Sequence, residues 1–163
     1  MRRYGLSGRK DRGNSVVEFA LTLPIFIILV IGIIEFGWYF FVQHTLQYAT
    51  REGMRLALVG RTLNVGGTPL SREASIIKTI QDNATLAIKP STAVQVSIYP
   101  VDNAGFIDPT GWETRQEAGD PGQYMRVRSR YNHRFFTPLI GGFFSGGAIV
   151  IQAEGTYRNE VFI

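Results

Sequence analysis

The chain has 163 residues, with 17 Lys and Arg against 13 Asp and Glu, two His and no Cys. Without cysteine there can be no disulfide, thiol catalysis or cysteine-ligated metal, so a domain outside the cytoplasm must hold together by packing alone. The net charge of +4 is no nucleic-acid signal: residues 1–13 hold five basic residues and one acid, and the remainder holds twelve of each, which leaves no basic patch for a polyanion.

Residues 1–13 are basic and aperiodic and read as a cytoplasmic leader. From Phe19 to Val42 the side chains are apolar except Thr22 and Glu35, a run longer than the roughly 20 residues that cross a bilayer core. A helix over residues 14–42 therefore spans a membrane, and Trp38 and Tyr39 fall at headgroup level, where amphipathic aromatic rings are favoured. Arg2, Arg3, Arg9, Lys10 and Arg12, with Asp11 as the sole acid, hold the N-terminus in the cytoplasm and place residues 43–163 outside. The run also exceeds the apolar core of a secretory signal, about 7–15 residues, and Gly37 is followed by Trp38, Tyr39 and Phe40 instead of a small-x-small cleavage pattern.

Two carboxylates mark this span. Glu35 near the outer interface is expected to be hydrated by tilting or snorkelling, ahead of the alternative of a functional pairing. Glu18 opens the apolar run, where a carboxylate meets the positive end of a helix dipole. Gly13 lies five positions earlier, and Pro24 interrupts the helix one and a half turns later.

Beyond Val42 the helix continues into water, because Leu46, Ala49, Gly53, Leu56 and Ala57 keep a 3.6-residue rhythm up to Gly60, which suits a C′ position. Small Ala49 and Gly53 allow another helix to come close. Gly66-Gly67 reads as a connector, Thr68 or Ser71 as a cap, and Ile76, Ile77, Ile80, Ala84 and Ala87 as the apolar face of a second helix that Pro90 ends. Val94, Val96 and Ile98 alternate with Gln95, Ser97 and Tyr99 as a first strand.

Residues 100–123, rich in Pro, Gly and acids, form a long loop whose spacing matches no EF-hand. Tyr124 to Tyr131 forms a second strand with Arg126, Arg128 and Arg130 on one face, expected to be wet ahead of the alternative that it meets acidic partner residues. The segment holding Phe135, Phe136, Phe143 and Phe144 is too apolar for an ordinary surface loop and is either core or a partner or membrane surface. A last strand alternates Ile149, Ile151, Ala153, Gly155 and Tyr157 against Val150, Gln152, Glu154 and Thr156. The expected fold class is α+β: one long N-terminal transmembrane helix running into a domain with a second helix and a three-stranded antiparallel sheet.

Catalytic signatures are missing: no G-x-S-x-G, H-E-x-x-H or P-loop occurs, and His44 and His133 read as surface residues. A general-base role for His133 would need a cleft joining it to Asp108 or Asp120.

Gly13-Asn14-Ser15-Val16-Val17-Glu18-Phe19 ahead of an apolar helix resembles the processing site of type IV pilin-like precursors, which a prepilin peptidase cuts after the glycine. More narrowly, R-G-x-x-x-x-E-F-A-L-x-L-P, then I-E-F-G, then A-T-R-E-G-M-R-L-A at Ala49–Ala57 resembles the TadE-like family of minor pilins, or pseudopilins, of the tight-adherence (Flp) pilus system. Phe136-Thr137-Pro138-Leu139-Ile140 and Tyr157-Arg158-Asn159-Glu160 are similar to that family's closing segment. Where such sites often carry Glu-Tyr, this chain has Glu18-Phe19, which keeps the ring and lacks the hydroxyl.

The resemblance implies cleavage at Gly13–Asn14 and a part for Glu18 and Phe19 in recognition and assembly. It further implies an inner-membrane, single-pass protein whose partners are the prepilin peptidase, other pilin-like subunits through helix packing, and the membrane itself. It implies no cofactor, nucleic acid or small-molecule substrate. Composition and periodicity alone leave two other classes open: an unprocessed, signal-anchored interaction module and a membrane-tethered enzyme.

Overall fold

The computed structural model describes the backbone of residues 10–161 and the side chains from Asn14 to Val161. The first nine residues of the leader lie outside the described residues, and the following four are helical backbone. The chain divides between Trp38 and Tyr39 into two compact units.

Helix α1 (Lys10–Leu58) contributes to both units. In the first unit its apolar side chains are laid open: Leu21, Ile25, Phe26, Ile33 and Ile34 are each more than three-fifths exposed. The stretch meets the length and hydropathy expected of a membrane span, with none of its most apolar window buried inside the protein. Pro24 sits inside the helix without breaking it.

The second unit is an α+β domain. After α1, Gly60 takes a positive φ of 65° and its N–H reaches the Ala57 carbonyl at 3.1 Å, the left-handed stop that its position suggested. Two short strands, β1 (Asn64–Val65) and β2 (Thr68–Pro69), pair antiparallel around Gly66-Gly67. Both glycines have positive φ, as a tight hairpin turn requires. Helix α2 (Arg72–Ala84) begins where Ser71 caps it, the hydroxyl accepting from Ala74 N at 3.1 Å. Its buried face is Ser75, Ile76, Ile80 and Ala84.

The sheet is an antiparallel meander of β3 (Gln95–Pro100), β4 (Tyr124–Arg134) and β5 (Ala148–Arg158), with β4 central. Ile98 pairs with Val127, and Ser129 with Ala153. A short helix, α3 (Pro138–Gly141), lies in the β4–β5 connection.

One face of the sheet packs on α1 and α2. Val42, Leu46, Ala49 and Ala57 of α1 and Ile76, Ile80 and Ala84 of α2 join Val96, Ile98, Met125, Val127, Ile151, Ala153 and Tyr157 in one core. Each large aliphatic buried there is worth about 1.5–3 kcal/mol, which lets a cysteine-free domain of this size stand. Thr50 Oγ1 lies 2.7 Å from the Leu46 carbonyl and 2.9 Å from Ser129 Oγ. With a single hydroxyl proton, donation to the carbonyl makes Ser129 the donor of the second bond.

The opposite face is also covered, and here the structure corrects the expectation of a wet arginine row. The loop 101–123 folds back over the sheet: its residues 115–117 pair alongside β3, with Ile98 N reaching Arg115 O and Glu117 N reaching Ile98 O, each at 2.9 Å. Trp112 slides under Arg128 and Arg130, their guanidinium carbons 4.1 and 4.8 Å from the ring centroid. β3 is therefore buried on both faces, Ser97 and Tyr99 included.

The closing residues seal the end of the domain opposite α3. Asn159 is buried, its amide donating to the Ala118 and Asp120 carbonyls at 3.0 and 2.9 Å and accepting from Arg72 at 3.3 Å. Arg72 also reaches the Gly119 and Ala57 carbonyls, and Glu160 N reaches Leu58 O at 3.0 Å. The carbonyls left over at the end of α1 are thus partly satisfied from the C-terminus.

Candidate assembly and processing site

The N-terminal site residues stand along the first turns of α1. The Gly13–Asn14 bond lies within helical backbone. Asn14 Nδ2 donates to Glu18 Oε1 at 3.2 Å, a link across one turn between two exposed side chains. Phe19 projects openly, 62% exposed. Thr22 returns its hydroxyl to the Glu18 and Phe19 carbonyls at 3.0 and 3.2 Å, just below Pro24. The site is a helix surface: a carboxylate, an amide and an aromatic ring at the head of an apolar rod.

Residues 13–55 match the model of the TadE-like protein family. No curated protein and no solved structure matches the chain. The TadE-like segment begins at the glycine of the expected cleavage site and ends at Arg55, so it takes in Glu18, the whole apolar run and most of the helix that packs into the domain. Within it, Gly53 meets α2 so closely that an added Cβ would lie 2.8 Å from Ile80 Cδ1 and nearer still to Cγ1. The close approach expected on this stripe is therefore made at Gly53 inside the chain, by α2.

Glu35 is 1% exposed, so the hydrated position expected for it does not hold. His133 is also buried, against the expectation of a surface histidine, while His44 is exposed. β4 runs three residues beyond the expected end at Tyr131, and its alternation carries His133 to the helix-facing side, where the rings of Tyr39, Tyr131 and Phe135 surround it.

Asp108 belongs to the other face. It accepts from Tyr99 OH at 2.9 Å and from Arg128 at 2.9 Å, and pairs with Arg126 as well. Partial burial works against its charged form, but the hydrogen bonds from Tyr99, Arg126 and Arg128 prevail and hold the carboxyl below its usual range. Burial first, and then the bond to Asp108, push Tyr99 up to about 12. His133 and Asp108 sit on opposite sides of the sheet and form no catalytic pair. Asp102 is occupied in its own turn, accepting from Ala104 N and Gly105 N at 3.0 and 2.7 Å.

The four phenylalanines divide. Phe135 stacks on Phe144, centroids 4.5 Å apart, and on Tyr39 at 6.4 Å. Phe136 and Phe143 point outward, 66% and 82% exposed. Sequence reasoning missed Tyr39 as the anchor of this ring cluster and Trp112 as the seat of the arginines. Continuing the β4 alternation past Tyr131 would have found His133, whereas nothing local in the loop marks Trp112.

Proposed function

We propose that this protein is a minor pilin, or pseudopilin, that takes part in assembling a tight-adherence pilus at its priming complex, base or tip. The observation that carries this is the TadE-like segment itself: it coincides with a helix whose apolar side chains are open from Val16 to Val30 and which is headed by Glu18. Such a surface needs lipid before assembly and neighbouring helices after it. The role is structural, with no reaction assigned to the chain.

In this proposal the basic leader stays in the cytoplasm, the apolar run crosses the inner membrane, and the α+β domain lies outside. A prepilin peptidase removes residues 1–13. Because Gly13–Asn14 is helical here, the first turn unwinds to enter an extended protease cleft, and glycine's high helix cost, about 1 kcal/mol relative to alanine, makes that opening cheap. Cleavage leaves an ammonium at Asn14, four residues from Glu18. A carboxylate and an ammonium that are each costly in hydrocarbon become tolerable as a pair between neighbouring subunits, which sets their register.

N-terminal sequencing of membrane-extracted protein, with and without the peptidase, tests this. A chain starting at Asn14 only when the peptidase is present is expected. Retention of Met1 or Arg2 would leave an unprocessed, signal-anchored module, and a start between Gly37 and Gly60 would mean a secreted domain.

A further inference from the structure

We propose that the β4–β5 connection is a second membrane contact, in which Phe136, Leu139 and Phe143 seat in the outer headgroup region beside the point where α1 leaves the bilayer. This rests on the membrane-anchored reading of α1. The three side chains are 66, 52 and 82% exposed, although they project from a rigid base. That base is a ring stack: Phe135 lies between Phe144 and Tyr39, and His133 meets Tyr39 and Phe135 edge-on at 5.7 and 5.4 Å.

Tyr39 fixes the depth. Phe19 to Trp38 covers about 30 Å of helix, the thickness of the hydrocarbon core, so Tyr39 stands at the outer interface. Whatever is stacked on Tyr39 stands there too. Phe40 and Phe41, 53% and 39% exposed, extend the same apolar level around the helix.

Charge fits the same occupant. From His133 to Ile151 the chain contains Arg134, which is exposed, and no acidic residue, a composition suited to an anionic lipid surface. Lipid is favoured over a partner protein because Tyr39, which follows directly on the span, is itself a member of the ring stack that carries the patch. Seating then costs neither association entropy nor ordering of a loose segment.

The cysteine-free sequence makes the test direct. Phe143→Cys, Leu139→Cys, Thr110→Cys and Ile27→Cys variants of the full chain would each carry an environment-sensitive fluorophore. Each would be placed at one copy per nanodisc of phosphatidylethanolamine and phosphatidylglycerol. Labels at Phe143 and Leu139 should shift to the blue, lose iodide quenching, and be quenched by lipids spin-labelled near the headgroup, whereas the Thr110 label stays open to iodide. Iodide quenching at both Phe143 and Leu139 equal to that at Thr110, with Ile27 protected, would overturn the proposal. Quenching at Ile27 itself would remove the anchor and this inference with it. Leu139 and Phe143 carry exposed side chains, so either label alone decides the outcome if the other variant misfolds.

Discussion

Arg128 Nη2 and Asp108 Oδ2 meet at 2.9 Å across the outer face of the sheet, and through this contact the loop 101–123 is fastened to β4. Arg128 is 8% exposed, shares Asp108 with Arg126 and also meets Glu154. Asp108→Ala removes the central acceptor and leaves a buried guanidinium with one remaining acid. The expected cost is about 1–2 kcal/mol, below that of a fully buried pair because Asp108 is 27% exposed. Denaturant unfolding of the full chain in detergent measures it. The carboxyl pKa is depressed in the fold, so its contribution is fully present above the unfolded value of about 3.9 and is lost as pH falls through the lower folded value. The difference between wild type and Asp108→Ala should therefore shrink below about pH 4.

Tyr99 tests the same junction from the alkaline side. Its folded pKa, about 12, lies above the ordinary 10, so its stabilising effect is complete below pH 10 and disappears as pH climbs towards 12. A phenolate absorbance titration should show a late-ionising tyrosine that is lost in Tyr99→Phe. Tyr157, also raised to about 12 by burial, should remain late in that variant.

Gly53→Ala sets two effects against each other. Alanine gains about 1 kcal/mol of helix propensity, but its Cβ would press into Ile80, whose branched side chain is itself fully buried. Overpacking of this kind costs typically 1–3 kcal/mol, and adding the methyl should come out destabilising. A thermal midpoint at or above that of wild type would show that α2 shifts freely.

Periodicity made the two helices, the cap at Ser71, the stop at Gly60 and the inner face of the sheet legible, because each depends on local chemistry or on a repeat of two or 3.6. The arginine row on β4 was legible as a row but not as a covered one. Its cover, Asp108 and Trp112, comes from a loop whose path depends on tertiary contacts with β3 and Asn159. His133 escaped for a simpler reason, since β4 outruns its expected end by three residues. Of the site, Glu18 and Phe19 could be read as open residues at the head of the span. The split among the phenylalanines needed Tyr39, almost a hundred positions away in the chain.

That split predicts two different outcomes. Phe143→Ser should leave unfolding within about 0.5 kcal/mol of wild type, because an 82%-exposed ring loses no packing. Phe144→Ser should cost about 1–3 kcal/mol, because the ring stacks on Phe135 at 4.5 Å. Equal destabilisation by both would mean that Phe143 is packed.

Glu18 carries the last prediction. Its side chain is exposed and bonded to Asn14 at 3.2 Å, so it makes no contribution to the folded domain. Glu18→Gln should leave the thermal midpoint unchanged and make membrane insertion easier, since a carboxylate costs about 2.5–3.5 kcal/mol at mid-depth and less near the edge. Processing at Gly13 should persist, because the glycine is intact, whereas Gly13→Leu should block it. Once the leader is gone, however, the ammonium of a neighbouring subunit finds an amide in place of its counter-ion, and leaving one charge of a desolvated pair alone costs about 3–5 kcal/mol. Assembly should fall steeply while anchoring and folding stay intact. Co-isolation of the processed Glu18→Gln chain with other pilin-like subunits at wild-type levels would show that Glu18 has no such partner, and would leave the open apolar face of α1 as the sole basis for subunit packing.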